Sequence, residues 1–255
     1  MEQPSLEMIL FLLSVGFVAA FVDSVVGGGG LISVPALLWT GLPPAVVLGT
    51  NKLGGTISSL TSSVSFLLSG KMDIRLVRKW FPLSLLGSVA GAYTVRLIPP
   101  DFLKPLVVVM LVVVTLYTLL VKKRTASSSA PRLSGKMIAA GALVALILGY
   151  YDGFFGPGTG SFLLFAFLLL RFDFVVAAGN AKALNLASNA GSLVTFALMG
   201  NVNLYYGIPL GLAMLAGALI GSRVAIRRGA GYVKPLFVAV TTLLIGKQIW
   251  DLLHG

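Results

Sequence analysis

The stretch FVDSVVGGGGLISVPALLWTGLPPAVVLGTNK, residues 21–52, holds two charges, Asp23 near its start and Lys52 at its end, in an otherwise apolar run. Gly27-Gly28-Gly29-Gly30 breaks any helix that enters it, and Pro43-Pro44 is suited to open the next one. The apolar piece between the two breaks, Leu31–Thr40, is too short to cross a bilayer alone, which takes about 20 residues. The same plan returns in YYDGFFGPGTGSFLLFAFLLLRFDFVVAAGNAK, residues 150–182, with Asp152, the break Gly156-Pro157-Gly158-Thr159-Gly160, a short apolar piece Ser161–Leu170, and Lys182.

The correspondence extends outward from this pair. An offset of 130 residues lays Gly49 on Gly179, Lys52 on Lys182, Ser58 on Ser188, Ser62 on Ser192, Gly87 on Gly217 and Gly91 on Gly221. Lys104-Pro105-Leu106 falls on Lys234-Pro235-Leu236, while an offset of 129 aligns Asp23 with Asp152, so one residue is inserted between. Apolar residues match by chance, but landmarks of Gly, Lys, Asp and Pro do not. The chain is read as a tandem duplication, residues 1–121 and 137–255, joined by the basic linker 122–136, KKRTASSSAPRLSGK.

Composition sets the environment. Of 255 residues, 57% are apolar and 11% charged, against about a quarter charged in a soluble domain. No charge interrupts Ser24 to Asn51 or Ala183 to Ser222. The chain reads as an all-α polytopic membrane protein with about eight transmembrane helices, or up to ten segments if short broken or re-entrant helices are counted. Each half would contain a long apolar segment (Leu6–Val26; Met137–Phe155), the short piece, a helix rich in small polar residues (Ala45–Ser69; Val175–Met199) and two plain spans (Trp80–Ile98 and Phe102–Val121; Leu204–Ile226 and Tyr232–Leu253). Gly87-x3-Gly91 and Gly217-x3-Gly221 are close-packing pairs without chemistry. The N-terminus lacks the basic region of a cleaved signal peptide, so the first segment is read as a retained span.

The net charge of +11 would suggest nucleic acid in a soluble protein, but in a membrane protein Lys and Arg set topology. Lys71, Arg75, Arg78 and Lys79 follow the third segment of the first half, whereas Asn201 to Pro209 is uncharged. At the next turn the bias reverses, with Arg223, Arg227, Arg228 and Lys234 in the second half. The basic linker is then cytoplasmic, both termini lie outside, and the halves are inverted relative to each other, as in secondary transporters with a midplane site.

No cysteine is present and His254 is the single histidine, which removes thiolate, imidazole-cluster and Ser-His-Asp chemistry. No catalytic residue, metal site or cofactor is expected. Asp23, Lys52, Asp152 and Lys182 are the costly residues: each central charge costs about 2.5–3.5 kcal/mol on insertion scales. They must be paired, hydrated, or able to snorkel, or, for Asp, cap the glycine turn. Helix N-termini at Gly28, Gly29, Gly30, Gly158 and Thr159, with Lys52 and Lys182, would suit an anion. Thr50, Asn51, Ser58, Asn185, Ser188 and Asn189 would line it, or else simply bond helix to helix. Asp23 and Asp152 are candidates for pairing with the lysines or carrying a coupled proton.

These residues also carry a resemblance. The run FVDSVVGGGGLISVPALL with GLPP and GTNK, and the run YYDGFFGPGTGSF with AKALNLASN, resemble the two signatures of the sulfite exporter TauE/SafE family over essentially the whole chain. They are closest to a bacterial branch known as probable membrane transporters. The resemblance implies a multi-pass inner-membrane transporter exporting sulfite, a sulfonate or another organosulfur anion, with protons as a candidate coupling partner and a homodimer left open. A passive anion channel is the alternative; an enzyme lacks a nucleophile-base pair.

Overall fold

Ser5 opens the first helix, its hydroxyl accepting from Met8 N at 3.2 Å, and the helix runs until Gly27, whose φ of +79° favours glycine. The computed structural model describes residues 5–120, 133–228 and 250. Among these are nine helices: α1 Leu6–Val26, α2 Gly30–Leu38, α3 Pro44–Leu68, α4 Ile74–Val95, α5 Pro100–Leu120, α6 Gly135–Phe154, α7 Thr159–Leu169, α8 Phe174–Leu198 and α9 Leu204–Arg228. The expected last span, Tyr232–Leu253, and most of the linker lie outside the described residues.

The helix bounds follow local chemistry. Pro44 occupies the first turn of α3, where its missing N–H costs nothing. Asp173 caps α8 by accepting from Val175 N and Val176 N. α4 starts earlier than the expected Trp80, because Asp73 caps Leu76 N at 3.1 Å and the exposed Arg75, Arg78 and Lys79 complete its first turns in helix.

α1, α6 and α9 are long and apolar enough to cross a membrane. α3 and α8 mix apolar residues with many small polar ones, and the polar ones are largely buried. Ser58, Ser59, Ser62, Asn180, Ser188 and Ser192 are almost inaccessible. Many of their hydroxyls bond back into their own helix, as Thr56 to Lys52 O and Ser192 to Ser188 O do. Large apolar side chains such as Leu68, Leu198 and Leu212 cover the outside, the surface a lipid environment accepts.

The two halves interlock. α4 of the first half packs on α6 and α8 of the second, and α9 of the second packs on α1 and α3 of the first. A Cβ at Gly87 or Gly91 would overlap Leu146 O and Tyr150 O; one at Gly217 or Gly221 would overlap Phe17 O and approach Phe21 O. The contacts ascend together, so α4 runs parallel to α6 and α9 parallel to α1. Both glycine pairs therefore do the close packing expected of them.

A second matched pair of contacts ties the helix ends. Thr50 Oγ1 accepts from Asn203 N at 2.9 Å, and Asn180 Oδ1 accepts from Asp73 N at 2.8 Å. Thr50 and Asn180 are equivalent under the 130-residue offset, as are Asp73 and Asn203.

Candidate functional site

The two glycine breaks meet. Gly27 lies against Gly160 and the amide of Ser161 so closely that no Cβ fits, and Ser161 Oγ donates to Val26 O at 3.0 Å. Around this junction stand the four costly charges, joined across the halves. Lys52 Nζ of α3 is 3.0 Å from Asp152 Oδ1 of α6, and Lys182 Nζ of α8 is 2.6 Å from Asp23 Oδ2 of α1. Four unpaired charges would cost roughly 10 kcal/mol, and two close ion pairs offset much of that. Both ammonium groups are buried against a carboxylate of the other half.

The two pairs differ in setting. Both side chains of Lys52 and Asp152 are 2% exposed, whereas Asp23 is 15% exposed. Asp23 also uses its other oxygen: Oδ1 accepts from Gly29 N at 3.1 Å, at the start of α2. Asp23 thus pairs with a lysine and also bonds the backbone of the glycine turn. The N–H that a helix start would offer to a bound anion is here held by the protein's own carboxylate.

The remaining site candidates divide. Gly28, Gly29 and Gly30 form the first break, with Gly30 against Pro157 of the second. Gly158, with φ +90°, turns the chain into α7, and Thr159 Oγ1 bonds to Gly156 O. Asn51 is buried near the junction and its Oδ1 accepts from Ser33 Oγ at 2.6 Å. Asn189 Nδ2 and Ser188 Oγ both donate to Asn185 O within α8. Asn189 Oδ1 sits where Gly55 leaves room on α3, so α3 and α8 approach each other there. Thr50 is not brought to the junction, since it caps the backbone of Asn203 between α3 and α9.

Ser24, Ser33 and Tyr151 belong to the region but are not among the residues singled out from sequence. Ser24 Oγ lies 2.7 Å from Ser62 Oγ, linking α1 to α3. Tyr151 donates its hydroxyl to Pro157 O at 2.6 Å, bracing the second break. Their repeat equivalents are Gly153, Phe162 and Val22, so a search for matched residues passes over them.

Two apolar cavities lie beside the junction rather than on it. One of about 570 Å³ opens between α5, α6 and α7, with Tyr151 as its polar member. The other, about 180 Å³, lies near Trp80 and Gly141. Neither contains an ion pair, and among the described residues no cluster of His, Cys, Asp or Glu could hold a metal.

Comparison with known proteins finds relatives over the full chain. The chain is 36% identical to a probable membrane transporter protein of Haemophilus influenzae across 96% of each sequence. It is 36% identical to the probable membrane transporter protein ORF9 of Sinorhizobium, covering 100% of this chain and 97% of the relative. The probable membrane transporter protein YfcA of Escherichia coli K12 is 33% identical, covering 100% and 93%. No solved structure matches the chain. The model of the family described as sulfite exporter TauE/SafE matches residues 12–247, and the chain belongs to that family.

Proposed function

We propose that the protein is a secondary transporter that moves a small anion, sulfite or an organosulfur anion, outward across the bacterial inner membrane by alternating access. The observation that carries this reading is the exchange of partners between halves: each buried lysine is neutralised by an aspartate of the other repeat. A site assembled from both halves is one that their relative movement can open from either side.

In this reading the halves are inverted repeats. The Thr50–Asn203 contact marks one membrane face and the Asn180–Asp73 contact the other, with Lys71 and the basic linker cytoplasmic and both termini periplasmic. Because α2 and α7 are only nine and eleven residues long, neither crosses the membrane as a full span. Lys52 and Lys182 supply positive charge to the anion, and Lys52 leaves Asp152 when the anion arrives. Asn51, Asn185, Ser188 and Asn189 supply hydrogen bonds, and the glycine breaks give the anion backbone donors.

Uptake of sulfite, sulfate, sulfoacetate and taurine into proteoliposomes, with and without an imposed pH gradient, tests the proposal. Saturable, gradient-driven accumulation of one organosulfur anion, lost in Lys52→Ala, is the expected result. Downhill flux that never exceeds equilibrium would replace the transporter with a channel. Flat traces from folded protein would refute the substrate class.

A further inference from the structure

The two ion pairs occupy equivalent places in the repeat but are not chemically equivalent. At Asp23 both carboxylate oxygens have donors, Lys182 Nζ on Oδ2 and Gly29 N on Oδ1. At Asp152, among the described residues, only Oδ1 has one: Oδ2 is buried and without a hydrogen-bond partner there. The donor's counterpart under the 129-residue offset, Gly158, also has an N–H, but its backbone turns at φ +90° where Gly29 is helical at φ −53°. Pro157 has no N–H to give, and its carbonyl is held by Tyr151. Buried carboxylate oxygens normally find partners, so a bare one beside a single ammonium is the place where the buried charge is least supported.

We infer that the Asp152–Lys52 pair is the one that takes up and releases the coupled proton, at Asp152 Oδ2, while the Asp23–Lys182 pair holds the α1–α2 break in shape. The inference rests on the transporter reading above and decides which of its two aspartates does the coupling. A proton passed from hydronium to Oδ2 forms an O–H bond there, breaks one in the hydronium to release water, and leaves Lys52 as an uncompensated buried cation. An anion arriving at Lys52 alone leaves Asp152 as an uncompensated buried anion. Either event alone buries net charge, and the two together do not, so proton and anion favour each other's binding by the same factor and cross together, outward when the cytoplasmic anion gradient outweighs the inward proton gradient.

The surroundings of Asp152 contain little that competes for this role. α3 presents Lys52, and α8 presents Lys182, which is engaged by Asp23. On α6 itself Tyr151 is committed to Pro157 O, and Tyr150 is exposed and bonds Thr94. α4, packed along α6, contributes the non-titrating Ser84 and Ser88, while its Arg75, Arg78, Lys79, Tyr93 and Arg96 are exposed. α7 contributes no titratable group.

Infrared difference spectra of the full chain in lipid vesicles, stepped from neutral to acid pH with no anion present, read the proton directly. The expected result is a slowly exchanging protonated-carboxyl band that Asp152→Asn removes and Asp23→Asn retains. Its absence from the wild type, its survival in Asp152→Asn, or its loss in Asp23→Asn alone would overturn the assignment. Should Asp152→Asn fail to fold, Asp152→Glu must shift the band, and an unshifted band overturns the assignment equally. A transport arm uses sulfite as the probe: Asp152→Asn should lower pH-driven accumulation by about tenfold or more while sulfite–sulfite exchange persists, because Asn mimics the protonated acid. Equal loss of both activities would mean that Asp152 is structural. A wild type that moves no sulfite refutes the substrate class, and the infrared result still decides the proton site.

Discussion

Nζ of Lys52 on α3 stands 3.0 Å from Oδ1 of Asp152 on α6, and the two residues come from opposite repeats. Lys182 and Asp23 repeat the relationship with the halves exchanged. Neither repeat can neutralise its own buried charges in this arrangement, so the halves depend on each other electrostatically as well as through the packing of α4 on α6 and α9 on α1.

Removing one member of the pair should harm the protein more than removing both. Lys52→Met leaves the Asp152 carboxylate buried without a counter-charge, a defect of about 3–5 kcal/mol in other proteins. The double variant Lys52→Met with Asp152→Leu should recover most of that loss in thermal unfolding of detergent-solubilised protein, while sulfite uptake stays absent. A double variant no more stable than Lys52→Met would mean that the pair is not closed in the folded protein.

Thr50 should report stability rather than binding. Its hydroxyl accepts from the amide of Asn203, and Thr50→Val leaves that buried N–H unsatisfied at a cost of about 1–3 kcal/mol. The unfolding temperature should fall while the KM for sulfite stays unchanged. A raised KM with unaltered stability would return Thr50 to the anion site.

Glycines of two kinds should separate in their cost. Gly70 and Gly200 end their helices with φ of +65° and +73° and have open space where a Cβ would go. Alanine there costs only the left-handed backbone, about 1–2 kcal/mol. Gly91 and Gly221 are pressed against the backbones of α6 and α1. Leucine there must push the helices apart, so both stability and transport should be lost. A leucine at Gly91 that leaves the unfolding temperature within the range of Gly200→Ala would contradict the parallel packing of α4 on α6.

The absence of cysteine makes topology directly readable. Single cysteines placed at Lys71 and at Asn201 should label from opposite faces of the membrane, Lys71→Cys from the cytoplasm and Asn201→Cys from outside. Labelling of both from one side would end the inverted-repeat reading.

Much of this was legible in the amino-acid sequence. Hydropathy and helix-ending residues set the elements: α1 occupies Leu6–Val26 as expected, because a cap at Ser5 and a glycine cluster at Gly27 bound one apolar run. α4 extends beyond its expected start because its first turns are charged, and hydropathy is blind to a helix that begins outside the apolar zone. The four costly charges and the packing role of Gly87, Gly91, Gly217 and Gly221 also follow from residue identity and spacing, since each is a local property that recurs at a fixed offset.

Which aspartate meets which lysine was decided only by the tertiary structure. The spacing from Asp23 to Lys52 allows a pair within one half as readily as one between halves, and the choice depends on how α4 and α9 cross to the other repeat. The separation of Thr50 from the junction depends on the same crossing, as it places Thr50 beside Asn203. The inequality of the two aspartates lies between the two levels. Gly29 and its counterpart Gly158 both carry an N–H, but only the folded backbone delivers the Gly29 amide to Asp23 and leaves Asp152 Oδ2 without a donor among the described residues. Hydrogen bonds are directional over about 3 Å, a precision that residue spacing along a chain does not carry.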